Sequence, residues 1–382
     1  MVLSFVSLFT DMASEMLYPI MPAFLKSIGF SILLIGFLEG FAEMVAGLSK
    51  GYFGQLSDVR QKRLPFVQLG YLLSAISKPM MAAFTAPLWI FFSRTIDRTG
   101  KGLRSAPRDA LLSAAATKEN KAKVFGFHRS MDTFGAVIGP LLALLFLYFY
   151  PGEYNTLFLI AFIPGIIAVL LTLTVKEKVG KPKLEKINFF SFLGYLKHAE
   201  QDYKKLLKGL LLFALVNSSD VLLLLKMKEA GVDDLLIIMI YIFYNLVYAL
   251  AAFPAGIIAD KIGMKPTFIF GLVLFALVYV GFTFVEDTNW FWLLFLVYGL
   301  YAATTEGVAK AWITNIVSTG TAGTAIGAYT GLASIAAFVA SATAGVLWTV
   351  FGSEFAFGFT ALTAAGVAIY LGSIRFGVKS TS

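Results

Sequence analysis

Cysteine is missing from this chain, and with it go disulfides, thiolate catalysis and Cys-ligated metals. Histidine is almost missing too. His128 falls in an apolar stretch and His198 in a lysine-rich one, so neither a metal set nor a nucleophile and base pair can be assembled from them. Charge is scarce: 14% of residues are Asp, Glu, Lys or Arg against 58% hydrophobic, with a mean hydropathy of +0.79. That balance excludes an ordinary soluble domain, and none of the kind a receptor or scaffold carries is expected within these residues. The reading is of a membrane protein that is not an enzyme and needs no metal and no cofactor. No basic region or small-residue cleavage site precedes the first apolar stretch, so an uncleaved first helix is expected to direct insertion. The net charge of +8 lies mostly in loops, where it orients a chain in a bilayer and implies no nucleic-acid partner.

What is present is long apolar stretches. Twelve are predicted, at 2–26, 32–56, 64–84, 88–116, 124–150 and 155–175, then at 206–225, 235–259, 266–285, 290–317, 324–351 and 355–376. Each approaches or exceeds the ~20 residues a helix needs to cross about 30 Å of hydrocarbon. The expected fold class is therefore an all-α membrane protein with 12 transmembrane helices. Lysine and arginine recur in alternate loops, which predicts a multi-pass protein of the cytoplasmic (inner) membrane with both termini cytoplasmic. Between the halves, residues 176–208 carry nine lysines and four acids, the signature of a basic cytoplasmic tether; its apolar patch at 189–196 could alternatively form a short surface helix.

The halves look like copies. Gly54 pairs with Gly256 and Asp58 with Asp260 at an offset of 202, Pro65 with Pro266 at 201, Trp89 with Trp292 at 203 and Gly126 with Gly327 at 201. Two pseudo-symmetric six-helix bundles follow, over 1–175 and 206–382, with a linker at 176–205.

The fourth stretch breaks the apolar rule. It holds Arg94, Asp97, Arg98, Lys101, Arg104, Arg108 and Asp109. Facing lipid unpaired, such a set would cost about 20 kcal/mol, at roughly 3 kcal/mol per charge, so these residues must face inward. At 100° per residue they fall within about 140° of arc and rise about 21 Å from Arg94 to Arg108. Arg94, Asp97 and Lys101 are candidates for substrate binding. Arg104, Arg108 and Asp109, level with Arg129 and Asp132 of the fifth stretch, are candidates for a cross-helix ion-pair network. Asp11 with Glu15, and Glu39 with Glu43, are carboxylates at i, i+4 on one helical face each. Two carboxylates closing on each other in low dielectric resist ionising together, as a proton carrier requires, and Asp11, Glu15 and Glu43 are the candidates. In the second half, Asn217, Asp220, Tyr244, Asn245 and Glu306 offer amide, aromatic and acidic groups that suit a bulky amphipathic ligand.

Two loops carry a resemblance. Gly54-Gln-Leu-Ser-Asp58-Val-Arg60-Gln-Lys62-Arg63 and Gly256-Ile-Ile-Ala-Asp260-Lys261-Ile-Gly263-Met-Lys265 are similar to the G-x-L-a-D-R-x-G-R-R signature of the major facilitator superfamily, although the first has Val59 where Arg is usual and Gln61 where Gly is usual. The run from Asp97 through Lys101, Gly102 and Arg108 to Ala110 resembles a prokaryotic branch of permeases in that superfamily. The resemblance covers essentially the whole chain. It implies alternating access between two bundles, with the first, fourth, seventh and tenth helices lining a cavity and the third, sixth, ninth and twelfth facing lipid. Arg98-Thr-Gly-Lys-Gly102 is similar to the R-x-x-x-G motif of proton-coupled members, which adds Arg98 to the proton set. Gly135-Ala-Val-Ile-Gly139-Pro140 is similar to a G-x-x-x-G-P motif associated with antiporters.

The signature loops imply a gate of Gly54, Asp58, Arg60, Lys62, Arg63, Arg108, Asp109, Gly256, Asp260, Lys261 and Lys265. Asp58 is expected at the N-terminus of the eleventh helix, and Arg60, Lys62 or Arg63 against Asp109. The expected function is a proton-coupled antiporter that exports a small amphipathic or anionic/zwitterionic compound as a monomer, its partners being the bilayer, the substrate and protons. Alternatives are a proton-coupled importer or facilitator of an organic anion, and a lipid or lysolipid transporter.

Overall fold

The computed structural model describes residues 1–18, 20–21, 24–25, 28–30, 32–180, 182, 187–285 and 287–376, with the backbone alone for 32–45 and Asp234. Among the described residues the regular structure is helical. The helices are α1 (Val2–Glu15), α2 (Ile32–Arg60), α3 (Leu64–Ala83), α4 (Pro87–Ala114), α5 (Lys121–Phe149), α6 (Tyr154–Thr172), α7 (Ser191–His198), α8 (Gln201–Ala214), α9 (Val221–Glu229), α10 (Asp234–Ile262), α11 (Met264–Phe284), α12 (Thr288–Ile316), α13 (Ala322–Phe351) and α14 (Ser353–Ser373). Among the described residues, α5, α6 and α10 to α14 are long and apolar enough to cross a membrane. Helix α4 has the length without the apolarity, because of its seven charges.

Local chemistry sets the boundaries. Pro87 opens α4, where the missing N–H costs nothing. Asp233 caps α10 by accepting from Leu235 N at 2.9 Å, and Asp287 caps α12 by accepting from Asn289 N at 2.8 Å. Gly263, at φ +106°, is the single residue between α10 and α11, a conformation that side chains other than glycine's rarely adopt.

Two compact units form. The first comprises Met1–Ala115, Phe127–Phe192 and Thr319–Gly331; the second comprises Ala116–Gly126, Leu193–Ser318 and Leu332–Ser382. In the first, Met16, Leu17, Phe24, Leu25, Met81, Ile90, Leu157 and Phe158 belong to one buried apolar cluster. Small residues bring its helices together: a Cβ on Gly100 would stand 2.6 Å from Gly70 O, and one on Gly102 2.5 Å from the Ser49 Cβ, so α3 and α2 both lie backbone-close to α4. In the second unit the core is aromatic, with the Phe275 ring 4.3 Å from Tyr279 and 4.8 Å from Tyr301.

Two expectations are corrected. The seventh stretch, predicted as one helix over 206–225, is two, α8 and α9, separated at 215–220. Asn217, Ser218, Ser219 and Asp220 are poor helix formers whose side chains compete for the backbone, and Ser219 Oγ accepts from Val221 N at 3.4 Å. The tether contains α7, the alternative its apolar patch allowed. Phe192 is buried against Gly51, where a Cβ would meet the ring at 2.7 Å, and Ser191 Oγ donates to Gln55 Oε1 at 2.5 Å.

Candidate functional site

The two signature loops make matching contacts. At the end of α2, Asp58 is buried, and its Oδ2 accepts from Thr324 N at 2.7 Å and Thr324 Oγ1 at 3.0 Å. Thr324 is the third residue of α13, so Asp58 satisfies an N–H that the helix itself leaves open and sits on the positive end of its dipole. Gly54 makes this possible, since a Cβ there would stand 2.3 Å from Gly323 O. In the second unit, Asp260 at the end of α10 accepts from Ala122 N at 2.9 Å and Lys123 N at 2.7 Å, in the first turn of α5. A Cβ on Gly256 would stand 2.3 Å from Ala122 O. The donors Thr324 and Lys123 are 201 residues apart, since 324 − 123 = 201, and the acceptors 202, since 260 − 58 = 202.

The flanking charges have separate tasks. Arg63 pairs with Asp58 at 2.7 Å and donates to Thr319 O at 2.8 Å, while Asp109 accepts from the neighbouring Arg108 at 2.9 Å; Arg60 and Lys62 are exposed. Arg63, one of the three bases expected against Asp109, is thus turned to Asp58 instead. Gln61, where the family has glycine, takes the left-handed conformation at φ +51°, and its Nε2 donates to Asp58 O. Lys265 donates to Gly372 O and Ile374 O at 2.8 Å each, capping the C-terminal end of α14; Lys261 is exposed. A residue the sequence did not reveal, Glu177, accepts from Arg63 N at 2.9 Å and Leu64 N at 2.8 Å, capping α3.

The charged face of α4 is turned into the first unit. Arg94, Asp97, Arg98, Arg104, Arg108 and Asp109 are buried, and Lys101 is half-buried. Asp97 Oδ1 accepts from Lys78 Nζ at 2.8 Å, Ser74 Oγ at 2.9 Å and Ser77 Oγ at 3.3 Å; Arg94 stands 3.9 Å from its Oδ2, and Arg98 also acts on it. Lys78, which the resemblance placed on a lipid-facing helix, is 1% exposed. Ser74, Ser77 and Lys78 share one face of α3, and that polar stripe in an otherwise apolar helix was the available signal. Arg104 lies over the Tyr71 ring at 4.6 Å and donates to Ser74 Oγ at 2.7 Å.

Below that pair lies a second cluster. Arg129 donates to Asp132 Oδ2 at 2.6 Å, and Arg108 Nη1 stands 3.9 Å from Asp132 Oδ1 and donates to Ser7 Oγ at 3.2 Å; Ser7 in turn donates to Asp132 Oδ1. Asp11, half-buried on α1, comes within hydrogen-bonding reach of Asp132, and Glu15 acts on Asp11 by charge. Gly135 and Gly139 set this geometry. A Cβ on Gly135 would stand 2.4 Å from Leu8 O and 3.0 Å from the Asp11 Cβ, and one on Gly139 2.6 Å from Met12 O. The G-x-x-x-G-P spacing on α5 therefore clasps the stretch of α1 that bears Asp11 and Glu15. The Glu43 side chain lies outside the described residues.

In the second unit the break at 215–220 holds the candidate substrate residues. Asp220, half-buried, accepts from Tyr298 Oη at 2.7 Å. Ser218 Oγ lies 3.5 Å from Tyr279 Oη, and Ser219 N donates to Ser341 Oγ at 3.0 Å. Asn217 is half-buried, Tyr244 and Asn245 are buried, Asn245 Nδ2 donates to Tyr241 O at 3.0 Å, and Glu306 is exposed on α12. The sequence missed Tyr298 and Tyr279, since an apolar helix with a tyrosine reads the same whether or not the hydroxyl has a task.

The profile described as Major Facilitator Superfamily matches residues 3–227 and 209–381. An uncharacterised MFS-type transporter of Methanocaldococcus jannaschii is 34% identical over 354 residues, 91% of this chain and 88% of that protein. The multidrug resistance protein MdtH of Photorhabdus laumondii is 29% identical over 120 residues, 31% of this chain and 29% of that protein. The crystal structure of the human organic anion transporter MFSD10 is similar in fold, with a TM-score of 0.81 at 15% identity, covering 97% of this chain and 98% of that one.

Proposed function

Because the chain belongs to the Major Facilitator Superfamily, and so is a multi-pass membrane transporter of small molecules rather than an enzyme, we propose that it is a proton-coupled antiporter. It exports a small amphipathic compound by alternating access. The observation that carries this reading is the meeting of Asp11 with Asp132 where Gly135 and Gly139 clasp α1. Exchange of one proton on a carboxylate pair can there be felt by the packing of two helices. The partial likeness to MdtH, named for multidrug resistance, supports export.

In this proposal Asp11, Glu15, Glu43 and Arg98 move protons, and both termini, the basic linker and the Asp58 and Asp260 contacts lie on the cytoplasmic side. The protein works as a monomer. The run at 97–110 marks the permease branch it resembles. An importer of an organic anion is the second reading, supported by Arg94, Arg98 and Lys101 sharing one face of α4. Everted liposomes loaded with a pH-sensitive dye decide between them. Addition of a transported compound should move protons against its own flux; co-movement in the same direction would establish the importer instead.

The proposed gate has its own expected result. Asp58 holds α13 by two hydrogen bonds in one conformation alone, so Asp58→Asn should shift the equilibrium by about 1–3 kcal/mol, roughly 5- to 150-fold. The chain has no cysteine, so Ser57→Cys introduces a single thiol at a position that is 0% exposed. Maleimide labelling of that thiol should accelerate by the same factor in the Asp58→Asn background, and an unchanged rate would remove Asp58 from the gate.

A further inference from the structure

Resting on the transport reading, we propose that the helix break at 215–220 receives the cationic group of the substrate, an amine or a quaternary ammonium carried on an apolar body. The sign is opposite to the anion or zwitterion that the arginines of α4 suggest. Asp220 is the reason. It sits at the N-terminus of α9, where an aspartate ordinarily caps the helix, yet its side chain makes no cap hydrogen bond and is turned to Tyr298 Oη instead. Among the described residues, the other charged side chain that acts on it is Glu306, a second acid. Lys226, the nearest base along the chain, is spent elsewhere, at 3.1 Å from Glu229 Oε2 and 2.9 Å from Ser353 Oγ. A membrane-embedded carboxylate is costly unless a counter-charge visits it.

The surroundings suit a lipophilic cation. Behind Asp220 stands a wall of rings, with Tyr244 5.1 Å from Tyr298 and Tyr298 5.2 Å from Tyr301. Tyr244, Tyr298 and Tyr301 are buried, whereas Asp220, held by Tyr298, and Tyr241, 5.8 Å from the Tyr244 ring, are half-buried. Aromatic quadrupoles attract cations, and a low-dielectric backing strengthens a carboxylate's pull on them. The interrupted helix supplies the position, since discontinuous spans in transporters place ligand-binding groups at mid-membrane.

Tetraphenylphosphonium and tetraphenylborate share size and shape and differ in sign, so equilibrium dialysis against the protein in nanodiscs, with empty nanodiscs subtracted, isolates charge. The protein should bind the phosphonium at least tenfold more tightly than the borate. Asp220→Asn should erase that preference, and Asp220→Glu, which keeps the charge, should retain it. Equal or tighter binding of the borate, an unchanged preference in Asp220→Asn, or no binding of either ion would overturn the cation site. The transport reading stands or falls separately, on compound-driven proton movement in liposomes, and a protein that exchanges an organic anion for protons while ignoring the phosphonium would keep that reading and lose this site.

Discussion

Asp11→Asn is expected to reduce compound-driven proton movement in proteoliposomes to the level of empty liposomes, while substrate exchange without a pH gradient continues. Around Asp132 the structure gathers the carboxylates of Asp11, Asp109 and Asp132, with Arg108 and Arg129 beside them and Arg104 and His128 acting on them by charge. Two carboxyl groups within hydrogen-bonding reach hold a proton between them, and that proton belongs to the pair rather than to either residue. Asparagine at 11 keeps the shape and the hydrogen-bonding capacity but removes the exchangeable site. Exchange survives because the amide mimics the protonated acid, which leaves the helix packing free to cycle. Glu15→Gln, one turn along α1, should slow coupled movement by a smaller factor, since Glu15 acts on Asp11 by charge while Asp132 acts on it by charge and by hydrogen bond. The measurement is dye quenching under an imposed pH gradient beside counterflow of labelled compound. Coupled movement that persists in Asp11→Asn would take the proton away from this pair.

How much of this was legible in the sequence depends on whether a signal is periodic. The apolar stretches and the repeat were legible because burial in lipid demands about twenty residues at a time, and because two copies of a loop must keep their own spacing. Asp58 at the N-terminus of α13 was expected from the signature, whereas the contact of Asp260 with the first turn of α5 was not, although the 202-residue offset carried its signal. The inward face of α4 followed from the cost of charge in lipid. Less legible was anything decided by which side chain meets which. Arg63 turned to Asp58, five residues away, while Asp109 inside α4 accepts from its neighbour Arg108. Lys78 stands on a helix that the resemblance turns to lipid, and its acid was legible only in the polar stripe it shares with Ser74 and Ser77. The break at 215–220 was spelled in Asn-Ser-Ser-Asp, but a hydropathy window averages four polar residues into the leucines on either side.

Asp97→Asn is expected to lower stability by about 3–5 kcal/mol, the cost of removing one partner from a buried ion pair, and Lys78→Met by less. The inequality comes from the surroundings. Asp97 answers three cations, Lys78 at 2.8 Å, Arg94 at 3.9 Å and Arg98 beyond, so its loss weakens the neutralisation of all three and takes from Lys78 the carboxylate it pairs with. Removing Lys78 leaves the acid with two arginines and two serine hydroxyls. The double variant should be no less stable than Asp97→Asn alone, because the second substitution removes one of the charges the first had stranded, and groups that act as a unit do not add. Thermal unfolding in detergent reads the ranking. The same series also separates the two tasks open to Asp97. If its work is to hold α3 on α4, all three variants lose melting temperature, and the double variant, once folded, transports. If Asp97 contacts the substrate, as its place on the charged face of α4 suggested, Asp97→Asn loses transport at a temperature where it is still folded, and adding Lys78→Met does not restore it.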